Sequence, residues 1–279
     1  MPIIWDSCIP DAIGGRAKIL YSIPMSDQIL YEHPLNERIR VFLRLEHLFN
    51  QISHFRNGSS VWDIHACVSA LIEIITILER TDIRSEMLKE LDRHIHELSA
   101  LLESQQVDRQ RLQSTLQELS AQATHIQGLP TKLRPELRDN ELLTSVRQRT
   151  VISGGTCGFD IPAYHYWLNQ GAHLKASCVA QWLEALLPFD QGIDLILTLI
   201  RNSTFFEEAT AHAGFFQRSL DSQYPCQLLR IHLEAASGIY PEVSGNKHRI
   251  NLRFMEYNPL GRATQITDDL RFELSCCAI

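Results

Sequence analysis

The chain has 279 residues, 44% of them apolar and 21% charged, the proportions of a globular protein able to bury a real core. Its formal net charge of −7 argues against broad, non-specific binding to nucleic acid or anionic membrane, yet leaves room for a local basic patch, which depends on arrangement and not on the sum. No apolar run approaches the roughly 18–20 residues of a membrane span, the N-terminus lacks the pattern of a signal peptide, and seven irregularly spaced cysteines without a C-x-x-C suggest reduced thiols in a cytosolic protein.

Residues 1–24 are poor in periodicity and carry scattered Pro and Gly. Strong patterning begins at Met25 with MSDQILYEHPLNERIR. Met25 is therefore expected to be the natural start and residues 1–24 an upstream extension; an extra segment packed on the body is the other reading.

From Pro34 to about residue 203 the period is helical. Pro34 suits the first turn of a helix, where its missing N–H would be unpaired anyway. That helix runs through Leu35, Ile39, Phe42, Leu45, Leu48, Phe49 and Ile52 and ends at Asn57-Gly58. Ser60, Asp82 and Asp108 are expected to cap the next three, and Gly128 and Pro130 close the last of these. The third and fourth helices have rich polar faces and a short link, so they read as an antiparallel hairpin. Leu142, Leu143 and Val146 mark a further helix, and Asp160-Ile161-Pro162 starts another. Two more cover Leu174–Leu187 and Phe189–Asn202.

Beyond residue 204 the period falls to two. Leu229, Ile231 and Leu233 alternate with Leu228, Arg230 and His232; Ile250, Leu252 and Phe254 alternate with Arg249, Asn251 and Arg253; Leu270, Phe272 and Leu274 alternate with Asp269, Arg271 and Glu273. Helices first and strands afterwards predict an α+β fold, an N-terminal helical bundle over 25–203 followed by a small antiparallel β domain over 204–279.

Two basic stripes stand out. On the first helix Asn36, Arg40, Arg44, His47 and Gln51 share the narrow strip left by the apolar residues, with Arg40 and Arg44 one turn apart. Rigidly held guanidinium forks suit carboxylates; a solvated stripe, or arginines paired elsewhere in the fold, is the plainer reading. Lys247, Arg249 and Arg253 share one face of a strand, with Arg230 and His232 as a possible extension. There the plainer reading is a wet face with Asp269 or Glu273 opposite.

Enzyme signals are weak. Gly154-Gly155-Thr156-Cys157-Gly158 is neither a dinucleotide fingerprint nor a P-loop, and Cys157 with His165 more readily marks a turn and a packed helix than a thiol–imidazole pair. His94 and His96 point in different directions on a helix, and Cys276-Cys277 straddles a strand, so neither suggests a metal site. No catalytic residue and no cofactor is expected.

These residues resemble the ZapD family of bacterial cell-division proteins. The resemblance rests on ILYEHPLNERIRVFLRLEHLF at Ile29–Phe49, SEMLKELDRH at Ser85–His94, SVRQR at Ser145–Arg149, GGTCGFDIPAYHYWL at Gly154–Leu168, LLRIHL at Leu228–Leu233, SGNKHRINLRFM at Ser244–Met255 and DLRFELSCC at Asp269–Cys277. It covers nearly everything from Ile29 onward in unbroken order, and residues 1–24 have no counterpart in it. It implies a homodimer of two-domain chains that associates with the division ring without catalysis. The implied partner is the C-terminal tail of the tubulin-like GTPase FtsZ, whose filaments two sites per dimer would cross-link. It implies a basic binding surface on Arg40, Arg44, His165, Lys247, Arg249 and Arg253, with the two stripes as candidate walls of one groove. Glu141 departs from relatives in which that position can be basic, and Arg138 is the suggested substitute. A module for a different acidic protein, using the same surface, is the alternative.

Overall fold

The computed structural model describes residues 28–58, 60–103, 107–130, 133–221, 225–246 and 248–278. The expectations for residues 1–24, for Met25 and for Lys247 lie outside them.

The described chain opens on a strand, β1 (Gln28–Pro34). Pro34 therefore ends a strand and does not open a helix. β1 is an edge strand, and a residue without an N–H is tolerated there because it withdraws no bond from a sheet interior. Helix α1 (Glu37–Phe55) starts at Asn36, whose Oδ1 accepts the Ile39 N–H at 2.9 Å. Its apolar stripe is as expected: Ile39, Phe42, Leu45, Leu48, Phe49 and Ile52 are all buried.

The expected caps of the next three helices are all in place. Ser60 and Asp63 form a reciprocal capping box at the start of α2 (Val61–Arg80). Asp82 Oδ1 accepts the Ser85 N–H ahead of α3 (Ile83–Ala100), which runs into a 3-10 turn over Leu101–Glu103. Asp108 Oδ1 accepts the N–H groups of Gln110 and Arg111 ahead of α4 (Arg109–Gln127). The hairpin is fastened where Arg84, early in α3, donates to the carbonyls of Ile126 and Gln127 at the end of α4, 3.1 and 2.5 Å away. The helical part continues with α5 (Pro135–Arg138), α6 (Glu141–Arg149), α7 (Pro162–Leu168), α8 (Ala172–Glu184) and α9 (Leu187–Arg201).

The strands are β2 (Glu207–Ala211), β3 (Phe215–Ser219), β4 (Leu228–Glu234), β5 (Ile239–Gly245), β6 (Arg249–Glu256), β7 (Thr264–Gln265) and β8 (Leu270–Cys277). The sequence periodicity picks out β4, β6 and β8, and they are the inner strands. They form two sheets and not one. The first has the order β1-β4-β8-β2; the second has the order β3-β6-β5, with β7 also paired to β6. Every pairing is antiparallel.

By compactness the chain divides into two units. Among the described residues, one comprises those up to Leu43, those within His96–Leu116 and those from Ile196 onward; the other comprises those within Arg44–Ile95 and Gln117–Leu195. In the first unit the sheets enclose a common core in which Leu229, Ile231, Phe272 and Leu274 meet Ile250, Leu252 and Phe254. Phe272 meets Phe254 and Phe216 at ring-centroid distances of 4.8 and 5.2 Å. The sheets are joined by the tight hairpin between β2 and β3, with Ala213 and Gly214 both at positive φ, 48° and 70°. Asp269 steadies this turn by accepting the Ala213 N–H and pairing with His212.

In the second unit, aromatic rings run from His65 through Tyr164 and Trp167 to Trp182, with centroids 5.5–5.9 Å apart. The Tyr164 hydroxyl and His65 Nδ1 are 3.0 Å apart. Helix α2 is long and apolar enough by length and composition to cross a membrane, but Ile64, Val68, Leu71, Ile72 and Ile75 are buried within the fold.

Candidate functional site

The clearest candidate surface lies in the first unit, on the outer face of the second sheet. On β6 the residues alternate: Ile250, Leu252 and Phe254 are fully buried, whereas Arg249 and Arg253 are exposed. Register extends the outer face across the neighbouring strands. Arg253 lies opposite Phe215 on β3 and Glu242 on β5, Met255 lies opposite Tyr240, and Arg249 lies opposite Ser219. Arg249 and Arg253 enter no ion pair among the described residues. Four residues apart on one strand, they stand about 13 Å from each other.

The expected opposing acids are elsewhere. Asp269 holds the β2–β3 turn, and Glu273 on the other sheet lies 3.1 Å from His232. Arg230 and His232 do not extend the basic stripe either, because β4 belongs to that other sheet. Arg230 is committed to Glu32, at 3.1 Å, and to the Arg201 carbonyl, at 3.2 Å; His232 stacks on Phe206.

Arg40 belongs to the same unit. It is half-exposed and pairs with Glu37 at 3.1 Å, a contact between exposed groups that contributes little and is easily exchanged. Its charge also helps to lower the pKa of His33, although burial is the larger cause. The β5–β6 turn closes on the start of α1: a Cβ added to Gly245 would stand 2.9 Å from Leu35 Cδ2. Gln227, just before β4, also meets this segment, its carbonyl accepting the Leu35 N–H at 2.8 Å and its side chain the Asn36 amide at 3.2 Å.

The second unit carries Arg44, Arg138 and His165. Arg44 is exposed on α1, one turn from Arg40, with no ion pair among the described residues. Arg138 forks onto Asp139 through two bonds of 2.8 Å, which raises its pKa and occupies its guanidinium. Glu141 is the first residue of α6, next to the cap Asn140, where the helix dipole favours an acid. His165 is exposed on α7, its ring against Gly158; a Cβ there would lie 2.8 Å from Nδ1. Cys157 is exposed in the preceding turns, and no hydrogen bond joins its Sγ to His165 among the described residues. No cluster of His, Cys, Asp and Glu suited to a metal occurs among the described residues.

Phe215, Tyr240, Glu242 and Met255 are surface neighbours that the sequence did not point out. Their signal was faint: β3 and β5 are edge strands whose alternation is broken by Arg218 on the inner face and by Pro241.

Comparison with known proteins places this geometry in a family context. Residues 43–253 match the family model ZapD, described as cell division protein. Among similar chains, one from Methylococcus capsulatus is 43% identical over 255 residues, 91% of this chain and 100% of its own length. One from Nitrosomonas europaea is 36% identical over 90% of this chain and 95% of its own. One from Pectobacterium carotovorum is 38% identical over 90% of this chain and 98% of its own. All three bear the name cell division protein ZapD.

Proposed function

The chain belongs to the ZapD family of cell division proteins, and from that premise we propose that it binds the C-terminal tail of FtsZ and cross-links FtsZ filaments. It does so in the cytoplasm, at the midcell division ring, as a homodimer that presents two sites. Its role is adhesive and not catalytic, and it uses no cofactor and no nucleic acid.

The observation that carries this reading is the outer face of β6. Arg249 and Arg253 are exposed there, free of ion pairs among the described residues, beside the apolar side chains of Phe215 and Met255. A peptide that combines carboxylates with apolar residues finds complementary chemistry on that face. The family resemblance implies further contacts at Arg40 and Arg44 on α1, at His165 on α7, and at Lys247, which precedes β6 in the sequence. Charge at an exposed site is screened within about 8 Å at physiological ionic strength, so tail binding weakens as salt rises. Filaments display many tails, so weak single sites reinforce one another in a two-site dimer.

Sedimentation of polymerised FtsZ, intact and without its tail, is the direct test. The protein is expected to pellet with intact filaments and to stay in the supernatant with tail-less ones. Equal pelleting with both would remove the tail from the account.

A further inference from the structure

Cys226, Cys276 and Cys277 gather in the first unit, where the end of β8 lies beside the start of β4, and the proposed function uses none of them. We propose that Cys276 and Cys226 are a peroxide-reactive thiol pair, Cys276 the nucleophile and Cys226 the resolving thiol, which closes to an intramolecular disulfide. The inference stands apart from tail binding.

The backbone brings the pair together. Register sets Cys276 opposite Leu229 and Cys277 opposite Leu228. The Gln227 N–H also bonds the Cys277 carbonyl, at 2.8 Å, so two consecutive residues face one across the ladder. Such a bulge shifts the chain before it out of simple alternation. Cys226 thereby reaches Cys276, and the two thiols are hydrogen-bonded. Cys277 points to the other side of its strand, where Ser275 Oγ and Thr204 Oγ1 lie 3.4 and 3.7 Å from its sulfur. The pair adjoins Gln227, which holds Leu35 and Asn36 at the start of α1, so a disulfide here would brace that anchor.

The two positions differ in chemistry. Cys276 is half-buried, whereas Cys226 is 6% exposed. The Arg218 guanidinium on β3 hydrogen-bonds the Cys276 sulfur while also pairing with Glu207. The hydrogen bond from Cys226, and then Arg218, favour a thiolate at Cys276 against the opposing effects of burial and Glu207; the same hydrogen bond and burial hold Cys226 protonated. The Cys276 thiolate attacks one oxygen of the peroxide, the O–O bond breaks, and the departing hydroxide takes a proton from solvent and leaves as water. Cys276 is then a sulfenic acid. The Cys226 sulfur attacks the Cys276 sulfur, the S–O bond breaks, and hydroxide leaves as water with the Cys226 proton. Two thiols and one hydrogen peroxide become one disulfide and two waters.

Cys157 supplies the contrast. It alone is exposed among the described cysteines, so accessibility by itself makes it the first to react. The test treats the reduced full-length protein with an equimolar pulse of hydrogen peroxide, stops it with catalase, alkylates the remaining thiols in denaturant and maps them by mass spectrometry. The Cys226–Cys276 disulfide is expected to form before Cys157 is oxidised and to vanish with dithiothreitol. In Cys226→Ser, dimedone is expected to trap a sulfenic acid at Cys276; in Cys276→Ser, Cys226 is expected to stay a thiol. Arg218→Gln is expected to slow disulfide formation about threefold, the scale of one partly exposed charge pair, and Arg218→Lys to restore most of the rate. Oxidation of Cys157 while the pair stays reduced overturns the inference, and that result needs no variant to fold. Equal trapping in Cys226→Ser and Cys276→Ser overturns the roles given to the two thiols.

Discussion

Glu32 on β1 and Arg201 at the end of α9 meet through two parallel bonds, Nε to Oε1 at 2.9 Å and Nη2 to Oε2 at 2.7 Å. Arg230, directly across the strand pair from Glu32, joins them at 3.1 Å. One carboxylate thus fastens the first strand to both the last helix and the sheet. The three side chains are 13–19% exposed, so solvent compensates poorly for a lost partner. Glu32→Ala, which leaves two arginines facing each other, is expected to destabilise the protein by about 3 kcal/mol, read as a lower urea midpoint. A loss below about 0.5 kcal/mol would mean that the triad is merely surface decoration.

His94 gives the protein an acid-sensitive core. It is fully buried on α3, and neither ring nitrogen has a hydrogen-bond partner among the described residues. Burial pushes its pKa down to about 4, opposed by Glu90 and reinforced by Arg93. Unfolded, the same imidazole takes a proton near pH 6.5. Between those values the unfolded chain binds a proton that the native one refuses, so stability falls as pH drops from about 6.5 to about 4 and the effect then levels off. The contribution is at most about 3 kcal/mol, and burial lowers the pKa of His33 and His65 in the same direction. His94→Leu is expected to flatten the dependence of the urea midpoint on pH in this window. An unchanged slope would refute the assignment.

The capping box of α2 is a local test of the helical reading. Ser60 Oγ accepts the Asp63 N–H at 3.0 Å, and Asp63 Oδ2 accepts the Ser60 N–H at 3.1 Å. Ser60→Ala removes the first bond and weakens the start of a helix whose Ile64, Val68 and Leu71 lie in the core. The expected loss is about 1 kcal/mol by thermal or urea unfolding.

Much of this was legible in the sequence because it was local. Ser60, Asp82 and Asp108 are caps wherever they precede a helical period, and Ile250, Leu252 and Phe254 mark a strand with one buried face on their own. What escaped depended on contacts distant in sequence. The segment ILYEHP reads as a prelude to the first helix until its partner, Leu228–Glu234, is known. Ala213-Gly214 makes a tight hairpin without the Asn-Gly or Asp-Gly that signals one, and the Asp269 side chain that steadies it is 56 residues away. The basic stripe on β6 was readable from alternation, but its apolar neighbours and Glu242 became its companions only through strand register. Pattern also offered Arg230 as an extension of that stripe; in the fold it pairs with Glu32.

Arg44 separates the site from the scaffold on α1. It is exposed, and its removal takes no ion pair from the described structure. Arg44→Ala is expected to weaken FtsZ tail binding a few-fold, with an unchanged unfolding transition and a shallower dependence on salt. An unchanged affinity would remove α1 from the binding surface and leave the β6 face standing.

The most direct measurement is a titration of a fluorescent FtsZ tail peptide into wild-type protein and into Arg253→Glu. The account predicts saturable binding by the wild type at low salt and a loss of at least about tenfold in the variant, because the charge reversal removes an attraction and adds a repulsion. Equal affinity in the two proteins, with both folded, would contradict it.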